Sequence, residues 1–405
     1  MRPNRQFFGG LESLRGIAAV LVVLYHMGSF CSIAPIHTTF VSNGYLMVDL
    51  FFVLSGFVIC HSYGGTELSN TCGLGRFLVL RFGRLYPLHV VMLTFFVGVE
   101  TAKWLAEVRV GVVPFKAQAF SLNSSTAFIA NLFLVHPFFS VTNLTFNSPS
   151  WSIGVEYYTY LMFGFVFLAL PRRSWLGLVS TVLVGLSFLL LWSFGEYYLS
   201  SQHTLSFLRC LLGFFLGVVC HEVHARWPWA RRRDWRIEIV LAAVLIAFLA
   251  YKPAEESGWD YMSLPIFALL IISIANASEG FWNWASLRWL GKVSYSIYML
   301  HMAILVLVGR IYVTLEHVLR MRFPELGRLF HLILGFAFVL GVLALTLGLS
   351  QLTYNRIELL YQNKFRRLAD SWFGQSAPKQ PVLVAKPIKQ PTFILSTEKR
   401  FEEPD

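Results

Sequence analysis

Residues 11–27 read LESLRGIAAVLVVLYHM, an apolar run with an arginine near its start (Arg15) and a histidine near its end (His26). The run is long enough to enter a bilayer, whose hydrocarbon core of about 30 Å takes roughly 20 helical residues to cross. At 3.6 residues per turn, the eleven residues between Arg15 and His26 make about three turns, so the two side chains share a face about 16 Å apart. Ionisable groups inside a span are expensive and mark function. The pair predicts an elongated polar ligand lying along the first helix, with a base at its outer end.

The same pattern repeats along the chain. Of its 405 residues, 56% are hydrophobic and 14% charged, against about 25% charged in soluble domains. The excess falls in blocks near span length, so the expected fold class is all-α: a polytopic membrane protein of about ten helices. The expected spans are 11–30, 45–63, 85–102, 150–170, 175–194, 205–221, 237–251, 261–276, 293–312 and 330–352, the seventh and eighth being short. The stretch 127–140 is apolar but short and holds His136-Pro137, so it is expected at the interface or as a re-entrant segment.

Lys and Arg set the orientation. An inside N-terminus puts Arg2, Arg5, Arg76, Arg81, Arg84, Arg172, Arg173 and the run at 231–236 in the cytoplasm, and an even number of spans returns the C-terminus there; Arg310, Arg320, Arg322 and Arg328 are the exceptions. The net charge of +11 is then positive-inside bias plus a basic tail, not a nucleic-acid signal. The first span resembles a secretory signal, but Glu12 and Arg15 interrupt it and no small-residue cleavage site follows, so it is expected to be retained. Five scattered cysteines predict no disulfide framework, and His221 with His224 lack an evident third ligand, so no metal is expected. The expected division is a membrane domain over 1–356 and a mostly disordered cytoplasmic tail over 357–405, rich in Lys, Pro and Gln. No GxxxxGK[ST], HExxH or GxSxG motif is present.

Polar residues cluster in four further places. In VDLFFVLSGFVI (48–59), Asp49 sits at the outer end and Gly56 permits close helix approach; Asp49 reads either as an interfacial residue or as reaching the outer mouth of a cavity shared with His26. In RFLVLRFGRLYPLH (76–89), arginines three residues apart on the inner side read as membrane anchors or as a phosphate grip. In NSPSWSIGVEYYTYLMFG (147–164), Ser150 is a candidate N-cap and Glu156 lies about one turn inside the membrane, where a carboxylate requires a partner or a wet cavity. In LGKVSYSIYMLHMAI (290–304), Ser294, Tyr295, Tyr298 and His301 form a stripe at helical spacing.

Taken in order, LRGIAAVLVVLYH, VDLFFVLSGFVI, RFGRLYP, SPSWSIGVEYY and VSYSIYMLH closely resemble the integral-membrane acyltransferase-3 family; SQLTYNRIELLYQNKFRRL resembles its closing segment, with Glu358 at a recurrent acidic position. The resemblance covers about residues 8–367. It implies O-acylation, usually acetylation, of envelope carbohydrates, with cytoplasmic acyl-CoA as co-substrate and no permanently bound cofactor. The family's signature arginine and histidine map onto Arg15 and His26, its arginines before the third span onto Arg81 and Arg84, and its SPSWSIGVE segment onto Ser150, Trp151, Ser152 and Glu156. Some relatives carry a further hydrolase-like domain, and the chain is expected to match the form without it.

The expected site follows from the residues and the resemblance together. Arg81 and Arg84, with Arg15, hold the donor's phosphates or arm carbonyls, and His26 acts as general base or as a covalent acyl carrier. Glu156 or Asp49 orients the imidazole or binds hydroxyls, Arg15 or a hydroxyl meets the oxyanion, and Asp49, Trp151, Ser152 and His301 contact the acceptor. The expected partners are acyl-CoA, a carbohydrate acceptor and membrane lipid in the cell (inner) membrane. A transporter or flippase for an envelope glycan or lipid is the competing expectation, and it requires no acyl-CoA.

Overall fold

The computed structural model describes residues 8–374, apart from 32, 34, 65–67, 112–117, 140–141, 143, 196–198, 200–204, 254–257, 278, 324 and 326. Every regular element among them is helical. In chain order the helices of eight residues or more are α1 (Gly9–Met27), α2 (Met47–Tyr63), α3 (Thr71–Val110), α4 (Ser125–Leu132), α5 (Trp151–Ala169), α6 (Leu176–Ser193), α7 (Ser206–Arg226), α8 (Trp235–Tyr251), α9 (Ser263–Ile274), α10 (Ala285–Lys292), α11 (Ser294–Ile304), α12 (Arg310–Arg322), α13 (Arg328–Thr353) and α14 (Leu359–Phe373). Single-turn π segments at Leu305–Gly309 and Tyr354–Glu358 join α11 to α12 and α13 to α14.

The chain is a multi-pass membrane protein. Eight helical stretches among the described residues are long and apolar enough to cross a bilayer. The two remaining expected spans, the seventh and eighth, are the 17-residue α8 and the 12-residue α9. Exposed Leu, Ile, Val, Phe and Trp side chains cover the outer surfaces of α6, α8 and α13, as they do where lipid is the solvent.

Two boundaries differ from expectation. The third span was expected to begin at 85, but α3 starts at Thr71 and continues through Pro87 to Val110, capped by Asn70 accepting from the Gly73 N–H at 2.8 Å. Its basic first turns lower the local hydropathy without breaking the helix. The tail expected from 357 onward contains α14, which packs along α3: Phe373 covers Gly75, Phe365 covers Gly83, and Arg76 pairs with Asp370 at 2.6 Å. Arg76 is therefore spent on the α3–α14 contact. The remainder of that tail, 375–405, lies outside the described residues.

The central seam is α2 against α7. A Cβ at Gly56 would collide with the Phe214 carbonyl, and one at Gly217 would collide with the Val53 carbonyl. Small residues let the two backbones touch, and dispersion contacts then hold them without a hydrophobic driving force. One buried ion pair crosses this seam, where Arg209 on α7 grips Asp49 on α2 through Nε–Oδ1 and Nη2–Oδ2, both 2.8 Å.

Candidate active site

A cavity of about 290 Å³ lies between α1, α2, α3, α5 and α11. Along α2 it is lined from Val48 to Ser62, a rise of about 21 Å and so most of the bilayer's depth. Its inner end is walled by Phe8, Glu12, His61 and Ser62, its middle by Arg15, Arg81, Arg84 and Glu156, and its far end by Val48, Phe51, Ser152 and Tyr298. By the positive-inside reading, the end carrying Phe8 and Ser62 faces the cytoplasm.

Each guanidinium in the wall is positioned by a different element. Arg15 donates through Nη2 to the Gly291 carbonyl at 3.0 Å, at the end of α10. Arg81 donates to the Tyr63 hydroxyl at 2.7 Å and lies over that ring at 5.0 Å. Arg84 stands 3.8 Å from Glu358, whose other oxygen accepts from Ser296 at 2.5 Å. The Nε atoms of Arg15 and Arg81 are buried without a hydrogen bond among the described residues. Three cations therefore face one polar space with donors to spare, an arrangement suited to phosphate or carbonyl oxygens.

Glu156 occupies the same wall. Its Oε1 accepts from Ser55 at 2.6 Å and from Tyr160 at 2.5 Å. The expected partner requirement is thus met by two hydroxyls, and Glu156 does not orient the histidine. At the far end Ser152, Tyr298 and the Pro149 carbonyl share one hydrogen-bonded cluster, with 2.8 Å between the hydroxyls and 2.9 Å from Tyr298 to Pro149. Ser150 does not cap α5 through its side chain; its hydroxyl meets His136 Nε2 at 3.3 Å.

Arg15 and His26 do share a face of α1, which runs unbroken from Gly9 to Met27; Arg15 reaches α10 and His26 reaches α11. His26 Nδ1 lies 2.9 Å from the Val22 carbonyl and 3.3 Å from Nε2 of His301. A carbonyl only accepts, so Nδ1 bears the proton, and Nε2 keeps the lone pair that a base needs. His26 is half-buried, but it is not part of the cavity wall. Tyr298 and His301 lie between them: the Tyr298 ring is 5.8 Å from that of His301, which lies 4.9 Å from that of His26. The shared slot expected along α1 thus reaches Arg15 and follows α2, not α1, to the outer level. His301, expected to contact acceptor, is fully buried beside His26.

Asp49 and Trp151 depart furthest from expectation. Both oxygens of Asp49 are taken by Arg209, and the side chains are 1% and 3% exposed. The Arg209 guanidinium lies 5.3 Å over the Trp151 ring. Neither Asp49 nor Trp151 lines the cavity; they are a packed, charge-neutral joint beside it. The signal that was missed is Arg209 itself, a lone cation within SFLRCLLGFF (206–215) that requires a buried carboxylate.

One group of potential metal ligands occurs among the described residues: Cys60, His221 and Glu222, with ligand atoms within 4.8 Å of one another. Arg173 already occupies that position, with Nη2 2.7 Å from Glu222 and 3.7 Å from Cys60 Sγ, and Arg226 holds the other carboxylate oxygen at 3.0 Å. His224 meets Asn276 instead, at 2.9 Å.

Fold and cavity define a class: a polytopic helical membrane protein whose interior holds an arginine-lined channel from its basic face toward a histidine pair. The chain belongs to the acyltransferase-3 family, described as an acyltransferase domain, which matches residues 8–355. Among its relatives is "O-acetyltransferase OatA" of Staphylococcus aureus, 26% identical over 346 residues, which are 76% of this chain and 52% of that protein. Another is "Protein 2 in picA locus" of Rhizobium radiobacter, 45% identical over 83 residues, 20% of this chain and 40% of that protein. The chain thus spans about half or less of the length of these relatives. No solved structure matches it.

Proposed function

We propose that this protein is an O-acyltransferase of the cell (inner) membrane that moves an acyl group, acetyl in the simplest case, from cytoplasmic acyl-CoA to a hydroxyl of an envelope polysaccharide, lipopolysaccharide or glycolipid. The observation that carries the reading is the cavity itself: three guanidiniums gather in its wall, and from them it runs along α2 to hydroxyl groups beside the His301–His26 pair. Acyl-CoA has matching chemistry, with phosphates at one end and a thioester at the tip of a long arm. Arg15, Arg81 and Arg84 hold the phosphate nearest the arm and the arm carbonyls while the arm follows α2 outward.

The acceptor approaches from the far side of Tyr298. His26 Nε2 removes the proton from the acceptor hydroxyl, its oxygen attacks the thioester carbon, and the tetrahedral oxyanion takes a hydrogen bond from the Ser152 hydroxyl. The carbon–sulfur bond then breaks, and the imidazolium returns the proton to the departing thiolate. Tyr298 closes the cavity short of His26, so the ring turns aside before thioester and hydroxyl meet. The name of the Staphylococcus aureus relative, an O-acetyltransferase, supports acetyl as the group moved.

The deciding experiment incubates purified protein in lipid nanodiscs with acetyl-labelled acetyl-CoA, with and without candidate glycans. Labelled glycan formed by the wild type and lost in His26→Ala, with acetyl-CoA binding retained, is the expected result. Transport of unmodified glycan with no dependence on acyl-CoA overturns the reading.

A further inference from the structure

The short helix α10 supplies no residue to the cavity wall, yet its Gly291 carbonyl holds Arg15 and it lies at the cavity's inner mouth. Its end is pressed into the first turns of α1. A Cβ at Gly291 would collide with the Glu12 carbonyl, and one at Gly16 would stand 2.6 Å from the Gly291 N–H nitrogen. At the other end of the contact, a Cβ at Gly9 would lie 3.4 Å from Arg288 Cδ. Backbone contact of this kind fixes α10 rigidly against the helix that carries Glu12 and Arg15 into the cavity wall, and the Arg15–Gly291 hydrogen bond of 3.0 Å ties the two again.

Two cations ride on α10. Arg288 is half-buried with its Nε buried and without a hydrogen bond among the described residues. Lys292 is exposed and forms no ion pair with a described residue. Glu12 lies within electrostatic reach of both, and of Arg15 and Arg84. The mouth therefore holds four cations from three helices beside two carboxylates, Glu12 and the Glu358 that stands 3.8 Å from Arg84. Such an excess, placed at a membrane-embedded opening, is unfavourable without an anion. Arg15 and Arg84 point into the cavity, whereas Arg288 and Lys292 stand outside it, where a group too large and too charged for the channel comes to rest.

We propose that α10 is the docking ledge for the phosphorylated nucleotide end of the donor, with Arg288 and Lys292 contacting its phosphates. This rests on the acyl-CoA reading and extends it to a separate subsite. The ledge determines whether the protein recognises the whole coenzyme or only its pantetheine arm. A lipid phosphate carries the same chemistry, and the test separates the two.

The experiment compares wild type, Lys292→Glu, Arg288→Gln and Arg288→Lys in nanodiscs of purely zwitterionic lipid and in nanodiscs containing anionic lipid. Binding of adenosine 3′,5′-bisphosphate, which has no acyl arm, is measured by calorimetry, and KM is measured for acetyl-CoA and for S-acetyl-pantetheine. Losing a charge-assisted phosphate contact corresponds to about a tenfold change. Lys292→Glu and Arg288→Gln are expected to weaken bisphosphate binding and raise KM for acetyl-CoA by about that factor, in both lipids, with KM for S-acetyl-pantetheine unchanged. Arg288→Lys is expected to restore most of the binding.

Unchanged bisphosphate binding overturns the assignment, as does a KM increase shared equally by the two donors. A loss confined to anionic lipid assigns the ledge to lipid phosphate and overturns it too. If the bisphosphate binds as expected but no acetyl transfer occurs with any glycan, the ledge stands and the transferase reading fails.

Discussion

Replacing Asp49 by alanine is expected to damage stability rather than acceptor recognition. Arg209 would keep its buried position, 3% exposed, with the two 2.8 Å hydrogen bonds that Asp49 accepts gone. Removing one partner of a buried pair costs about 3–5 kcal/mol because it strands the other charge. At about 1.4 kcal/mol per decade, that lowers the folded-to-unfolded ratio by roughly two to three and a half orders of magnitude. Asp49→Asn keeps the volume and one acceptor oxygen, so it falls between the wild type and Asp49→Ala. Asp49→Leu with Arg209→Met removes both charges and is expected to recover most of the stability. Reversible unfolding in mixed detergent micelles gives the free energies, and acceptor KM is measured on the surviving folded fraction. An Asp49→Ala protein within about 1 kcal/mol of wild type, with acceptor KM raised, would refute the structural assignment and return Asp49 to the substrate.

Other substitutions follow from the same geometry. His26→Ala is expected to lower kcat by about 10²–10⁴ while leaving the affinity for acetyl-CoA intact, since His26 lies outside the cavity wall; near-normal turnover removes it from the chemistry. His301→Ala is expected to lower kcat only about tenfold, because the Val22 carbonyl at 2.9 Å still holds the proton on His26 Nδ1; a loss as large as that of His26→Ala would make His301 the base. Tyr298→Ala is expected to raise acceptor-independent hydrolysis of acetyl-CoA, read as free thiol, whereas Tyr298→Phe keeps the ring and does not; equal hydrolysis in both shows that the ring closes nothing. Gly56→Ala overpacks the α2–α7 seam against the Phe214 carbonyl and is expected to destabilise by about 1–3 kcal/mol or more, read in the same micelle unfolding assay.

Much of this architecture is legible in the chain because lipid imposes a simple rule. A span must be apolar over a fixed length, so runs such as 11–30 and 45–63 declare themselves, and charges inside them stand out. Arg15, Arg81, Arg84, Ser152 and Glu156 are brought to one cavity as their patterns indicate. What is not legible is pairing across helices. Asp49 looks like a ligand on its own helix and becomes a structural ion only when Arg209, 160 residues away, is placed beside it. The same blindness hides Ser55 and Tyr160, which supply the partners that Glu156 requires. Hydropathy windows also miss helix where charge is dense, as in the first turns of α3, in α14, and in the eight-residue α10.

On the proposed acyl-transfer reading, the separation of His26 from the cavity has a chemical sense. A thioester in an arginine-lined channel shares that space with water entering from the basic face. A base in the same space would activate that water as readily as an acceptor hydroxyl, and the acyl group would be lost to hydrolysis. With Tyr298 between them, the lone pair on His26 Nε2 and the donor cavity stay apart until the ring moves. An acceptor that must displace the ring brings its hydroxyl to the base and excludes water in the same step. The fixed proton on Nδ1 adds to this, because the imidazole needs no tautomeric change once the hydroxyl arrives. Selectivity for the acceptor over water then rests less on the strength of the base than on which molecule can open the way to it.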